Sequence, residues 1–172
     1  MNMEIIFSII QSLGISLGMG CSTLAVLNFF HAIADGKIDE TERNFMGITY
    51  RVLRIAMGII LVSTIGLVTS GYLESGHTHF TTYVIAQIIL VAILFINSFL
   101  MTLHVMPSTF GPAIQASTWY ALGFMMALTT QFAINVNFFV FIFAYSTLIL
   151  FAISLINAVM AYLKEKNLNS SR

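Results

Sequence analysis

The sequence predicts an all-α integral membrane protein: a bundle of five transmembrane helices, N-terminus outside and C-terminus cytoplasmic, forming one membrane domain over residues 1–172. Three observations predict it. The chain is 58% apolar and only 8% charged, far from the composition of a soluble domain. Its apolar residues gather into five runs, roughly 5–34, 49–73, 82–106, 112–134 and 138–163, each reaching the ~20 residues that cross ~30 Å of hydrocarbon. Threading those runs through a bilayer brings all seven basic residues to one side: Lys37, Arg43, Arg51, Arg54, Lys164, Lys166 and Arg172. The other side, made of residues 1–4, 74–80 and 135–137, has no Lys or Arg. Basic residues stay on the cytoplasmic side of a membrane, which sets the orientation.

The first run carries Gly14, Gly18, Cys21, Ala25 and Asn28 at helical spacing. Small residues at this spacing let a second backbone approach closely, so the Gly14/Gly18 face predicts helix packing. The partner there is either another part of the chain, a second copy in a homo-oligomer, or a subunit of a membrane complex. With no basic stretch before it and no small-residue cleavage site after it, the run is expected to stay as a helix.

The connection that follows, residues 35–42, looks like the second half of a calcium loop. Counting backwards puts His31 and Ile33 at the first and third ligand positions, and an isoleucine cannot bind calcium. The pattern is instead mechanical: Gly36 closes the first helix, Asp39 caps the second, and Glu42 completes a capping box. The second helix then starts in the cytoplasm and continues into the membrane as one piece, with Arg51 and Arg54 one turn apart at the inner boundary. Arginine there reaches lipid phosphates by extending its stem.

The third run ends at Met106-Pro107, and the fourth opens near Gly111-Pro112, where proline suits a first helical turn. Gln115 and Trp119 are four apart on the fourth run and share a face. The fifth is rich in phenylalanine, at 138, 139, 141, 143 and 151, and is expected to face lipid. Residues 135–137 allow only a tight turn.

No Asp, Glu or Lys falls inside a span, which argues against ion-coupled transport, since such transporters place a carboxylate near the midplane. Cys21 is the only cysteine, so disulfide and cysteine-cluster chemistry within the chain is excluded. Neutral net charge and the lack of a soluble domain exclude nucleic-acid binding. No serine elbow or phosphate-binding glycine loop occurs. The compact N-out layout predicts a plasma (inner) membrane with the lipid bilayer as its surroundings.

His31 and His104 lie near the cytoplasmic ends of two odd-numbered spans, hence at similar depth. Buried without partners, each ring would cost several kcal/mol. One solution is a b-type haem between spans 1 and 3, with His31 and His104 as axial ligands and Arg51 and Arg54 on its propionates. The others are two interfacial histidines bonded into the bundle, or a polar cavity open to the cytoplasm. In layout alone the chain resembles small membrane b-haem proteins of the protoporphyrinogen-oxidising type; no motif of theirs aligns here, and no residue role is carried over. A second constellation, Glu74 with His77 and His79, has the donor types of an external Zn²⁺ or Cu²⁺ site.

These readings predict a haem-binding redox and electron-transfer protein. A channel or facilitator is the first alternative, using Gln87, Asn97, Ser98 and Thr102 on span 3, although these point in different directions around the helix. A structural or assembly subunit is the second.

Overall fold

The computed structural model describes residues 3–35, 39–75, 81–103, 105–106, 110–131 and 137–170. It is all-helical: α1 Met3–Asp35, α2 Glu40–Ser75, α3 Thr82–Thr102, α4 Phe110–Gln131 and α5 Phe138–Ser170. Four helices are long and apolar enough to cross a membrane, over Met3–His31, Glu40–Leu73, Thr82–Thr102 and Phe138–Leu163.

The helix boundaries follow from local chemistry. At the start of α2, Glu42 N–H donates to Asp39 Oδ1 at 2.6 Å, and Asp39 N–H donates to Glu42 Oε2 at 3.2 Å. This is the expected capping box, which satisfies amides that the first helical turn leaves unpaired. Gly36 lies outside the described residues. From that cap α2 runs unbroken for 36 residues, ~54 Å, the single continuous helix expected.

The end of α3 differs from expectation. The helix stops at Thr102, with Leu103 as its C-cap, and does not reach Met106. Leu103 N–H donates to the Phe99 carbonyl at 3.0 Å, and Val105 N–H to the Leu100 carbonyl at 3.2 Å. The chain thus closes its last carbonyls several residues before Pro107, whose preceding residue is sterically barred from the helical region. At the start of α5, Asn137 Oδ1 accepts from Phe139 N–H at 2.9 Å.

Helices α1 to α4 form a ring in which each packs on the next and α1 closes onto α4; α5 lies against α4 and touches α1 and α3. Among the described residues, the diagonal pairs α1–α3 and α2–α4 have no close backbone approach. The expected small-residue face turns inward. A Cβ on Gly14 would stand 2.8 Å from Ile59 Cγ2, and one on Gly18 would enter the Trp119 ring. The face expected to meet a partner is therefore covered within the chain, by α2 and α4.

The fifth expected span, α4, is 22 residues long but carries Gln115, Ser117, Thr118, Trp119 and Tyr120 and is not among the four helices apolar enough to cross a membrane. Its position explains this. Ala113, Gln115, Ser117, Thr118, Trp119, Ala121, Leu122 and Met125 are all buried, because α1, α3 and α5 surround it. A helix shielded by protein can keep polar residues that lipid would not solvate. Two of them are satisfied locally: Ser117 Oγ donates to the Ala113 carbonyl at 2.7 Å, and Thr118 Oγ1 donates to the Ile114 carbonyl at 2.6 Å and also lies 2.8 Å from Tyr145 Oη.

Helix α5 is the outer wall expected from its phenylalanines, with one exception. Phe139 is 82% exposed, Phe143 76% and Phe151 62%, whereas Phe141 is only 4% exposed and lies parallel to the Tyr145 ring. Positions 141 and 145 are one turn apart, so a single face of α5 meets α4 and the remainder faces outward.

Candidate functional site

A cavity opens at the end of the ring where α1 and α3 finish and α2 and α4 begin. It has a volume of about 450 Å³, within the usual range of small-molecule sites. Helix α1 contributes Ser22, Ala25 and Val26; α2 contributes Tyr50, Leu53, Arg54 and Met57; α3 contributes Ser98, Met101 and Thr102; and α4 contributes Pro112 and Gln115. The lining carries one cation, Arg54, one amide, Gln115, and the hydroxyls of Ser22, Tyr50, Ser98 and Thr102 among apolar side chains.

Gln115 is held in place by α3. Asn97 Nδ2 donates to Gln115 Oε1 and to the Gly111 carbonyl, each at 3.0 Å. That bond uses the Gln115 oxygen and leaves its Nε2 as the free end of the amide. Its only hydrogen-bond partner among the described residues is the Met57 sulfur at 3.8 Å, a weak acceptor. A buried donor so poorly matched is a natural partner for an oxygen on a bound molecule.

The cavity does not run through the protein. Beyond Gln115 the interior is filled by Ile60, Leu90, Leu94, Trp119 and Leu122, each 2% exposed or less. Further along, Gln87 Nε2 donates to Thr64 Oγ1 at 2.9 Å in a second buried polar pair. Of the polar residues considered for a channel on α3, Ser98 and Thr102 line the cavity and Asn97 bonds Gln115 beside it, whereas Gln87 is set apart, paired with α2. The packed Leu90 and Leu94 lie between Gln87 and Asn97.

The residues predicted to hold a cofactor are distributed as follows. Arg54 lines the cavity. Arg51, one turn before it, is exposed and donates from Nε to the Gly47 carbonyl at 3.3 Å. His31 is exposed and borders a separate pocket of about 130 Å³ with Asn28, Thr41, Glu42, Phe45 and Met46. His104 lies outside the described residues, as do His77, His79 and the Glu74 side chain. Among the described residues, no group of three or more His, Cys, Asp or Glu could hold a metal ion.

Sequence reading missed Tyr50, Ser22, Met57 and Met101 as lining residues, since nothing in an apolar run marks which residues face a cavity. It did place Gln115 and Trp119 on a common face. Trp119 is fully buried, and its indole N–H has no hydrogen-bond partner.

Fold and composition together define a multi-pass helical membrane protein, with four helices apolar enough to span. Compared with known proteins, the chain matches no family model, no curated protein and no solved structure.

Proposed function

We propose that this chain is a ligand-binding membrane protein, oriented N-out and C-in in a plasma (inner) membrane, whose site is the cavity between α1, α2, α3 and α4. The observation that carries this reading is the pairing of one cation, Arg54, with one oriented amide, Gln115, in a recess closed at its inner end, whose other polar groups are the hydroxyls of Ser22, Tyr50, Ser98 and Thr102. Few polar groups in an apolar pocket is the usual composition of a small-molecule site. On this reading the positive side is cytoplasmic and the ligand enters from there. Native mass spectrometry of the protein released from mild detergent tests it. A bound mass is expected, and Ala25→Trp, which fills the cavity, should remove it while leaving thermal stability near wild type. Persistence of the same mass in that variant overturns the assignment of the site.

A second reading is redox chemistry on a b-type haem, with electron transfer as its outcome. What supports it is that the cavity borders α1, which carries His31, and α3, which ends two residues before His104 in the sequence, and that Arg54 lines it. Arginine meets propionates through its planar fork, and bound haem would supply one-electron chemistry. A sharp α band on dithionite reduction is expected on this reading, lost in His31→Ala and in His104→Ala. An absorption spectrum without haem bands after expression with ample haem rejects it.

A further inference from the structure

Resting on the cavity reading above, we infer that the ligand is an anionic amphiphile: a molecule with one acidic head group, carboxylate or phosphate, and an apolar body. Two observations lead to it. The first is the charge. Arg54 is the only charged residue on the lining among the described residues, and no carboxylate accompanies it. Along its own helix the nearest acidic residue is Glu42, ~18 Å of helix away. A guanidinium at the edge of a low-dielectric recess with no counter-charge of its own favours an anion there. Tyr50 also lines the recess, four residues before Arg54 and so on the same face of α2, and offers a second donor to an acidic head.

The second observation is what lies deeper. Leu53, Met57 and Met101 present apolar surface below the cation, and thioether side chains adapt to irregular apolar shapes. A small hydrophilic anion would leave that surface unmatched. A head group with an apolar body satisfies both ends at once.

Trp119 is the single tryptophan, fully buried one turn beyond Gln115, so its fluorescence reports on the inner end of the cavity. The experiment uses the full chain in nanodiscs of neutral phosphatidylcholine, titrated with a fatty acid brominated near its tail. Saturable quenching of Trp119 is expected, at least tenfold tighter than with the fatty alcohol of the same chain and bromination. Arg54→Gln should weaken binding of the acid about tenfold, Arg54→Lys should keep most of it, and Arg51→Gln should leave it unchanged. Brominated phosphatidylglycerol in the disc separates the sources: quenching with the same Arg54 dependence identifies a membrane lipid as the occupant, and quenching by the free acid alone identifies a single-chain acid. Equal quenching by acid and alcohol, unaffected by Arg54→Gln, overturns the anion and leaves the cavity as a ligand site. Absence of saturable quenching by all three, together with no bound mass, removes the cavity reading too.

Discussion

Asn97 on α3 and Gln115 on α4 are joined by a hydrogen bond of 3.0 Å, and the same Asn97 nitrogen donates to the Gly111 carbonyl at 3.0 Å. One side chain therefore anchors the start of α4 to α3 and orients the amide that lines the cavity. Asn97→Leu should cost about 1–3 kcal/mol, because it leaves the buried Gln115 oxygen without a donor and removes the side-chain bond to the Gly111 carbonyl. Thermal unfolding in detergent measures this. Gln115→Leu, which leaves the Gly111 contact intact, should cost less; an equal or greater loss would show that the Gly111 bond contributes little.

Gly18 is where α1 and α4 meet most closely. Any Cβ there enters the Trp119 ring, whereas one at Gly20 has no atom within 4 Å. Gly18→Ala should destabilise by about 1–3 kcal/mol, the usual cost of overpacking a full core, and shift the Trp119 emission. Gly20→Ala should leave stability within ~0.5 kcal/mol and the emission unchanged. Fluorescence-detected melting of both variants distinguishes close packing from a general need for glycine.

Gln87 and Thr64 form the inner polar contact of the bundle, at 2.9 Å between α3 and α2. A double-mutant cycle with Gln87→Leu and Thr64→Val should return a coupling of about 0.6–1.7 kcal/mol, the range of buried interhelical bonds in membranes. Strictly additive losses would mean that the pair adds nothing beyond its separate packing.

Orientation can be tested directly. A reporter fused after Arg172 should behave as cytoplasmic, and one inserted within residues 74–80 as external, since every Lys and Arg lies on the opposite side from that loop. The reverse result would place the cavity mouth outside the cell and change the source of its ligand.

The Asp39–Glu42 capping box was legible because it is a local event: two side chains meet backbone amides of the same turn, and no distant residue takes part. The inward packing of Gly14 and Gly18 was legible as packing but not as to its partner, since small residues invite any close backbone. That the partners are Ile59 and Trp119 depends on which helices share the ring. The expectation that His31 and His104 share a depth with Arg51 and Arg54 used only their levels along the helices. Depth does not carry azimuth: Arg54 turns to the cavity while His31 borders a different pocket with Thr41 and Phe45.

Helix α4 shows the limit most clearly. In the sequence its Gln115 and Trp119 share a face, and nothing there says what that face meets. Its neighbours enclose it, and Trp119 is fully buried. In a soluble protein an amphipathic stripe would have marked the inward face. Where lipid and protein core are both apolar, that stripe fades, and the rotation of each helix is set by shape and by a few polar pairs.

The sequence by itself determined the number of helices, the cap at Asp39 and the membrane class, because these depend on local composition and on transfer of apolar length into a bilayer. Only the tertiary structure decided that α4 is enclosed, that α1 and α3 stand apart, and that Arg54 and Gln115 line one closed recess between them. Those facts depend on contacts between residues far apart in the chain, whose side chains could face lipid or protein at nearly equal cost.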